Sequence, residues 1–191
     1  DALDDWSRCQ PILRAVSDQL NNGEITGMPF EPGEALAPLP RAYQWIDGSG
    51  FMVHLDRVRS LAGSKDAELQ DVRPLVYQGA SDSFTAPLSP IVLPEDGLAP
   101  DFEAEVVVVT AHVPMRPSRE QAADAIRLVG ICNDVSLRRL VRDDLENGFG
   151  FFHAKPATSF APVFATPDEL GALWQDNRLH ARVRINVNES L

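Results

Sequence analysis

Glu103 and Glu105 sit two residues apart in the run Asp101-Phe102-Glu103-Ala104-Glu105-Val106, and Asp134 follows within Asn133-Asp134-Val135-Ser136. In an extended strand residues i and i+2 project from one face, so the two glutamates can aim their carboxylates at one point while Ala104 and Val106 pack behind them. Asp134 could then close an all-oxygen shell. Such shells favour hard cations, Mg²⁺, Mn²⁺ or Ca²⁺, over zinc, which prefers nitrogen and sulfur. The alternatives are a strand with one solvated face for the glutamates and a carboxylate stabilised by a helix N-terminus for Asp134. Context favours the metal. Val106 to Val109 shows no alternation, the pattern of a strand covered on both faces. Two carboxylates at the mouth of such a strand resist desolvation unless a cation or proton lies between them.

The surrounding elements read as follows. Leu3, Trp6, Leu13, Val16 and Leu20 have helical spacing up to Asn21-Asn22-Gly23, with Pro11 as a kink or a start. Met28 to Pro40 is rich in Pro and Gly and predicts an extended linker, and Ala62 to Arg73 is polar and aperiodic. From Pro74 to Pro100, Pro87, Pro90 and Pro94 break the chain into short strands and bends. Ser118-Arg119-Glu120-Gln121 predicts a capping box opening a helix through Leu128, with Ala122, Ala125, Ile126 and Val129 on its apolar face. Ser136 is a candidate cap for a helix from Leu137 to Asn147, stopped by Gly148. Thr166-Pro167-Asp168-Glu169 predicts a short surface helix leading into Leu170, Leu173 and Trp174. His180 to Val187 alternates apolar and polar residues as a half-buried strand does.

Bulk properties narrow the function. The 191 residues suffice for one sizeable core, and a net charge of -11 without a Lys/Arg cluster argues against a surface built for nucleic acid or an anionic membrane. Cys9 and Cys132 are solitary, which argues against a disulfide framework or a thiolate zinc site and for a reducing compartment. No membrane span or signal peptide is apparent, so a cytoplasmic location is expected. The chain starts without Met and stops just after the His180 run, which predicts part of a longer polypeptide.

In order, Pro74-Leu75-Val76-Tyr77-Gln78-Gly79, the E-x-E run, Asn133-Asp134-Val135-Ser136-Leu137-Arg138 and Gly150-Phe151-Phe152-His153-Ala154-Lys155-Pro156 resemble the fumarylacetoacetate hydrolase family. The resemblance extends over roughly Pro38 to Leu191. It implies an α+β fold whose β-rich part is a mixed roll or distorted barrel with flanking helices. The expected division is a helical and linker segment, 1–37, followed by a catalytic domain, 38–191, incomplete at its C-terminal end.

The resemblance puts Glu103, Glu105 and Asp134 on Mg²⁺ (or Ca²⁺ or Mn²⁺), and a looser match adds Asp47 as a fourth ligand and His54 as the base that activates water. Asp47 before Gly48 and Ser49 is equally ordinary turn chemistry, and His54 is equally a core or surface histidine. Lys155 and Arg138 become the cationic groups over the substrate, and Tyr77 a substrate contact. The residue-level alternatives are a snorkelling Lys155, Arg139 in place of Arg138, and core packing for Tyr77. Val141 and Leu145 stand where the family has polar Gln and Tyr, so the substrate pocket should differ. The family's S-G-T segment and the Glu that orients the catalytic His would lie beyond Leu191.

The implied activity is metal-dependent hydrolysis of a C–C bond in a small acylpyruvate- or fumarylacetoacetate-like diketo acid, by a homodimer in the catabolism of aromatic compounds. The alternatives are a metal-dependent decarboxylase or tautomerase of an oxaloacetate-like keto acid, and a catalytically silent binding or scaffold member.

Overall fold

The structure, a computed structural model, describes residues 2–51, 53–54, 56–57, 74, 76–148 and 150–188. The expected irregular stretch from Ala62 to Arg73 lies outside the described residues. Helix α1 (Trp6–Asn21) opens the chain, with Pro11 inside it rather than at its start. The linker follows, with a single 3-10 turn at Pro32–Glu34. Among the described residues four small antiparallel sheets come next: β1 (Trp45–Gly48) with β2 (Val76–Gly79), β3 (Pro100–Asp101) with β6 (Ser136–Leu137), β4 (Ala104–Thr110) with β5 (Ile126–Asn133) and β7 (Ser159–Phe160), and β8 (Trp174–Gln175) with β9 (Arg178–Leu179). Helices α2 (Arg119–Asp124) and α3 (Arg138–Glu146) connect them. The architecture is mixed helix and strand, and among the described residues no sheet closes into a barrel.

One register runs through two of these sheets. Pairing of Asp101 with Ser136 in one and of Ala104 with Asn133 in the other belongs to the same antiparallel alignment, interrupted at 102–103 and 134–135. Glu103 and Asp134 therefore stand opposite each other, and Asp134 N–H donates to the Glu103 carbonyl at 3.0 Å. Beyond that interruption the same face becomes apolar. Val107, Cys132 and Phe160 are buried together, and Trp45, Phe84 and Phe164 pack against them. Phe160 makes edge-to-face contacts with Trp45 and Phe84 at centroid separations of 5.6 and 4.7 Å. Trp45 joins the β1–β2 sheet to this core, and two-residue periodicity then carries Asp47 to the same face.

Several expectations are corrected. Val106 to Val109 is not covered on both faces: Val107 is buried, but Val108 is 42% exposed. The Ser118–Gln121 capping box is present, yet its helix ends at Asp124 and not at Leu128. From Ile126 onward the β-branched residues pair with β4, where their stiff side chains fit better than in a helix. Ser136 pairs with Asp101 and does not cap α3. The segment after Thr166 forms turns and a 3-10 helix, Gly171–Leu173, rather than an α-helix. Residues 181–186 carry no regular structure, and Val183, Ile185 and Val187 are exposed. Gly148 does end α3, with a φ of 71° that suits glycine.

The sheet is closed over at Gly130, where an added Cβ would lie 2.5 Å from the Phe164 ring. Phe164 packs on Phe160 at a centroid separation of 6.2 Å, so its ring would have to shift against that contact. Gly130→Ala should cost about 1–3 kcal/mol in chemical denaturation, the usual range for overpacking, and Phe164→Leu in the same chain should recover part of it.

Candidate metal centre

The interruption of the long ladder is where the chemistry collects. Asp47 comes from β1, Glu105 from β4 and Asp134 from the gap after β5, and their ligand oxygens lie within 4.8 Å of one another. Asp134 is 1% exposed. Lys155, also nearly buried, donates from Nζ to Glu103 Oε2 at 2.6 Å, to Asp134 Oδ2 at 2.8 Å and to the Asp134 carbonyl at 3.3 Å. Its ammonium lies 5.6 Å from the Tyr77 ring centroid. Tyr77, opposite Asp47 in the β1–β2 ladder, donates its hydroxyl to Asp134 Oδ2 at 2.6 Å.

Of the residues singled out in the sequence, the structure gathers Asp47, Glu105, Asp134, Tyr77 and Lys155 into one site. Glu103 stands at its edge, turned to the cations. Arg138 holds Glu103 Oε1 at 2.6 Å and Asp101 at 2.8 Å. The adjacent Arg139 points elsewhere, with Nη1 near Gly97, so Arg138 is the arginine at the site. His54 is exposed and stands outside the three-carboxylate group. Leu145 is exposed on α3.

Sequence reasoning missed three members. Thr158 is buried and donates Oγ1 to Asp134 Oδ1 at 3.1 Å. The Asn133 side chain accepts the Glu103 N–H at 3.1 Å, shaping the interruption. Asp101 anchors Arg138, and its spacing of two from Glu103 was a usable signal, since an extended run sends residues i and i+2 to one side. Nothing in Pro156-Ala157-Thr158-Ser159 marks Thr158 from sequence.

Electrostatics follow from burial and crowding. Burial, with Asp47, Asp134 and Glu103 nearby, pushes the Glu105 carboxyl up to about 7. Burial and Asp134 also raise Asp47. Glu103 goes the other way: burial opposes its charge, but Lys155 and Arg138 outweigh it and lower its pKa. Burial works against the Lys155 charge too, yet its bonds to Asp134 and Glu103 prevail and hold it above the ordinary range. Burial pushes the Cys132 thiol up, which argues against a thiolate nucleophile there.

These residues fit a divalent cation. The donors are all oxygen, they converge, and two of the three carboxyls resist ionising together, as crowded ligands do without their counter-charge. Because Glu105 has its ordinary value of 4.5 in the unfolded chain and about 7 in the fold, the native state holds a proton that the unfolded state has lost between those values. The stabilisation it gives is complete below the lower value and vanishes as pH rises through the upper. A cation must displace that proton. Calorimetry in buffers of different ionisation enthalpy should find roughly one proton released per Mg²⁺ bound near pH 6 and almost none near pH 8.5. Glu105→Gln should abolish both the binding and the release while leaving the apo protein folded.

A sequence model described as fumarylacetoacetate (FAA) hydrolase C-terminal matches residues 44–190, and one described as fumarylacetoacetase N-terminal domain 2 matches residues 1–41. A search of curated proteins found no match. Among solved structures, the fold is similar to that of a protein from Yersinia pestis CO92 assigned to the fumarylacetoacetate hydrolase family. The TM-score is 0.56 at 19% identity, covering 74% of this chain and 66% of that one. A protein from Oleispira antarctica described as a fumarylacetoacetate isomerase/hydrolase aligns with a TM-score of 0.42 at 21% identity, covering 59% and 51%. The chain thus spans just under two thirds of the Yersinia protein's length. No described helix is long and apolar enough to cross a membrane. With a family match over most of its length on the residues that build the acidic centre, the chain belongs to the fumarylacetoacetate hydrolase family.

Proposed function

We propose that this chain contributes to a divalent-metal-dependent hydrolase that cleaves a C–C bond in a small acylpyruvate-like diketo acid. The observation that carries the reading is the convergence of Asp47, Glu105 and Asp134 beside the buried ammonium of Lys155. Asp47, Glu105 and Asp134 would hold Mg²⁺, Ca²⁺ or Mn²⁺, with Glu103 beside them. Such a cation supplies Lewis acidity toward the substrate's keto oxygens.

The chain's own groups do the rest. Lys155 offers a desolvated positive charge to an anion that develops as the C–C bond breaks, where a low dielectric makes it effective. Arg138, partly exposed, has the fork geometry for a substrate carboxylate. His54 takes the proton from the attacking water, whose oxygen becomes part of the released acid, and the enolate fragment gains a proton on carbon. The finer expectations belong to this reading: the small sheets as parts of a roll, division of the chain at 37/38, a homodimer and a cytoplasmic location.

One observation favours a second reading. His54 is exposed and outside the carboxylate group, and a metal-dependent decarboxylase or tautomerase of an oxaloacetate-like acid needs no base to activate water. The two separate cleanly in a panel of acylpyruvates and oxaloacetate assayed with Mg²⁺ or Mn²⁺ and again with chelator. Hydrolysis should require metal and fall roughly 10²–10⁴-fold in His54→Ala. Oxaloacetate turnover that survives His54→Ala, with no acylpyruvate cleavage in either protein, would favour the decarboxylase. A protein that binds the cation and turns over nothing would be a silent family member.

A further inference from the structure

Asp134 is held from both sides by hydroxyl groups on separate parts of the chain. Thr158 Oγ1 donates to Oδ1 at 3.1 Å, and Tyr77 Oη donates to Oδ2 at 2.6 Å. Lys155 supplies the charge on Oδ2, so neither hydroxyl is needed to neutralise the carboxylate. What they add is direction. The terminal torsion of an aspartate is soft, and an ammonium with three rotatable donors does little to fix it.

Both hydroxyls rest on rigid supports. The Tyr77 ring meets Phe151 edge to face at 5.2 Å. Thr158 is stiff at its branched Cβ, and its carbonyl accepts both the N–H and the hydroxyl of Thr85, at 3.0 and 3.3 Å. Asp134's backbone is fixed as well, by its N–H to Glu103 and by Ser136 Oγ donating to its carbonyl at 3.4 Å. Of the roughly four acceptor positions of the carboxylate, the described partners take two on Oδ2 and one on Oδ1. The remaining one is on Oδ1.

We propose that Tyr77 and Thr158 are positioning residues that clamp the Asp134 carboxylate in the orientation a divalent cation requires, and that Tyr77 acts on this ligand rather than on substrate. This rests on the metal reading given above. Hydrogen bonds from outside a metal's own ligands commonly set ligand orientation, and their loss costs about 10–100-fold in affinity.

The test is Mn²⁺ titration of the cation-free chain, with free Mn²⁺ read by electron paramagnetic resonance. Tyr77→Phe and Thr158→Val should each weaken binding by about 10–100-fold, whereas Thr158→Ser, which keeps the hydroxyl, should stay close to wild type. If Tyr77→Phe fails to fold, the Thr158→Val and Thr158→Ser pair still decides the matter. Wild-type affinity in both hydroxyl-deleted variants would overturn the clamp while leaving the metal site intact, and so would a Thr158→Ser protein as weak as Thr158→Val. A wild-type chain that binds no Mn²⁺ would remove the metal reading and the clamp together.

Discussion

The ammonium of Lys155 lies 2.6 Å from Glu103 and 2.8 Å from Asp134, two carboxylates that the ladder register sets opposite each other. Like charges in that relation repel, and a buried carboxylate without a partner is costly. Lys155 resolves both problems with one group. It also fixes an asymmetry, since Glu103 receives a second cation from Arg138, whereas none of the ion pairs among the described residues reaches Asp47 or Glu105. The negative charge left without a partner is thereby concentrated on the side of the site where Asp47, Glu105 and Asp134 converge. A proton on Glu105 can meet that demand, and a divalent cation can replace it.

The same two-residue periodicity builds both the floor and the charged end. On β4 it places Glu105 next to buried Val107 on one face, and on β5 it places buried Cys132 next to Asp134. On β1 it places Trp45 over the aromatic cluster and Asp47 over the carboxylates. Packing of Trp45 against Phe160 therefore also sets where Asp47 lies. The apolar floor excludes water from one side of the acids, which strengthens every charge interaction there and accounts for the upward pressure on the Glu105 carboxyl.

Much of this was legible before the structure. The carboxylates and the lysine could be picked out because their spacing is set by local geometry and by a family pattern. The identity of the arginine was not, because Arg138 and Arg139 differ only in the direction each takes from the start of α3. Long-range pairing defeated the local signals elsewhere. A capping box correctly started α2, but pairing with β4 claimed Ile126 to Asn133. The alternation from His180 to Val187 describes a strand only if a neighbour pairs with it, and residues 181–186 have no regular structure. Thr158 was invisible because a threonine hydroxyl can bond almost any polar group, and only the fold brings Asp134 to it.

Three carboxylates drawn together by the sheets, of which Lys155 pairs Asp134 alone, form the candidate cation site. Crystals grown with Mn²⁺ and measured for its anomalous scattering test it most directly. One peak is expected, bounded by carboxylate oxygens of Asp47, Glu105 and Asp134 at roughly 2.0–2.6 Å, the range for hard divalent ions, with Lys155 still bonded to Glu103. An absence of any peak there at saturating Mn²⁺ and at a pH above 8, where Glu105 is ionised, would contradict it.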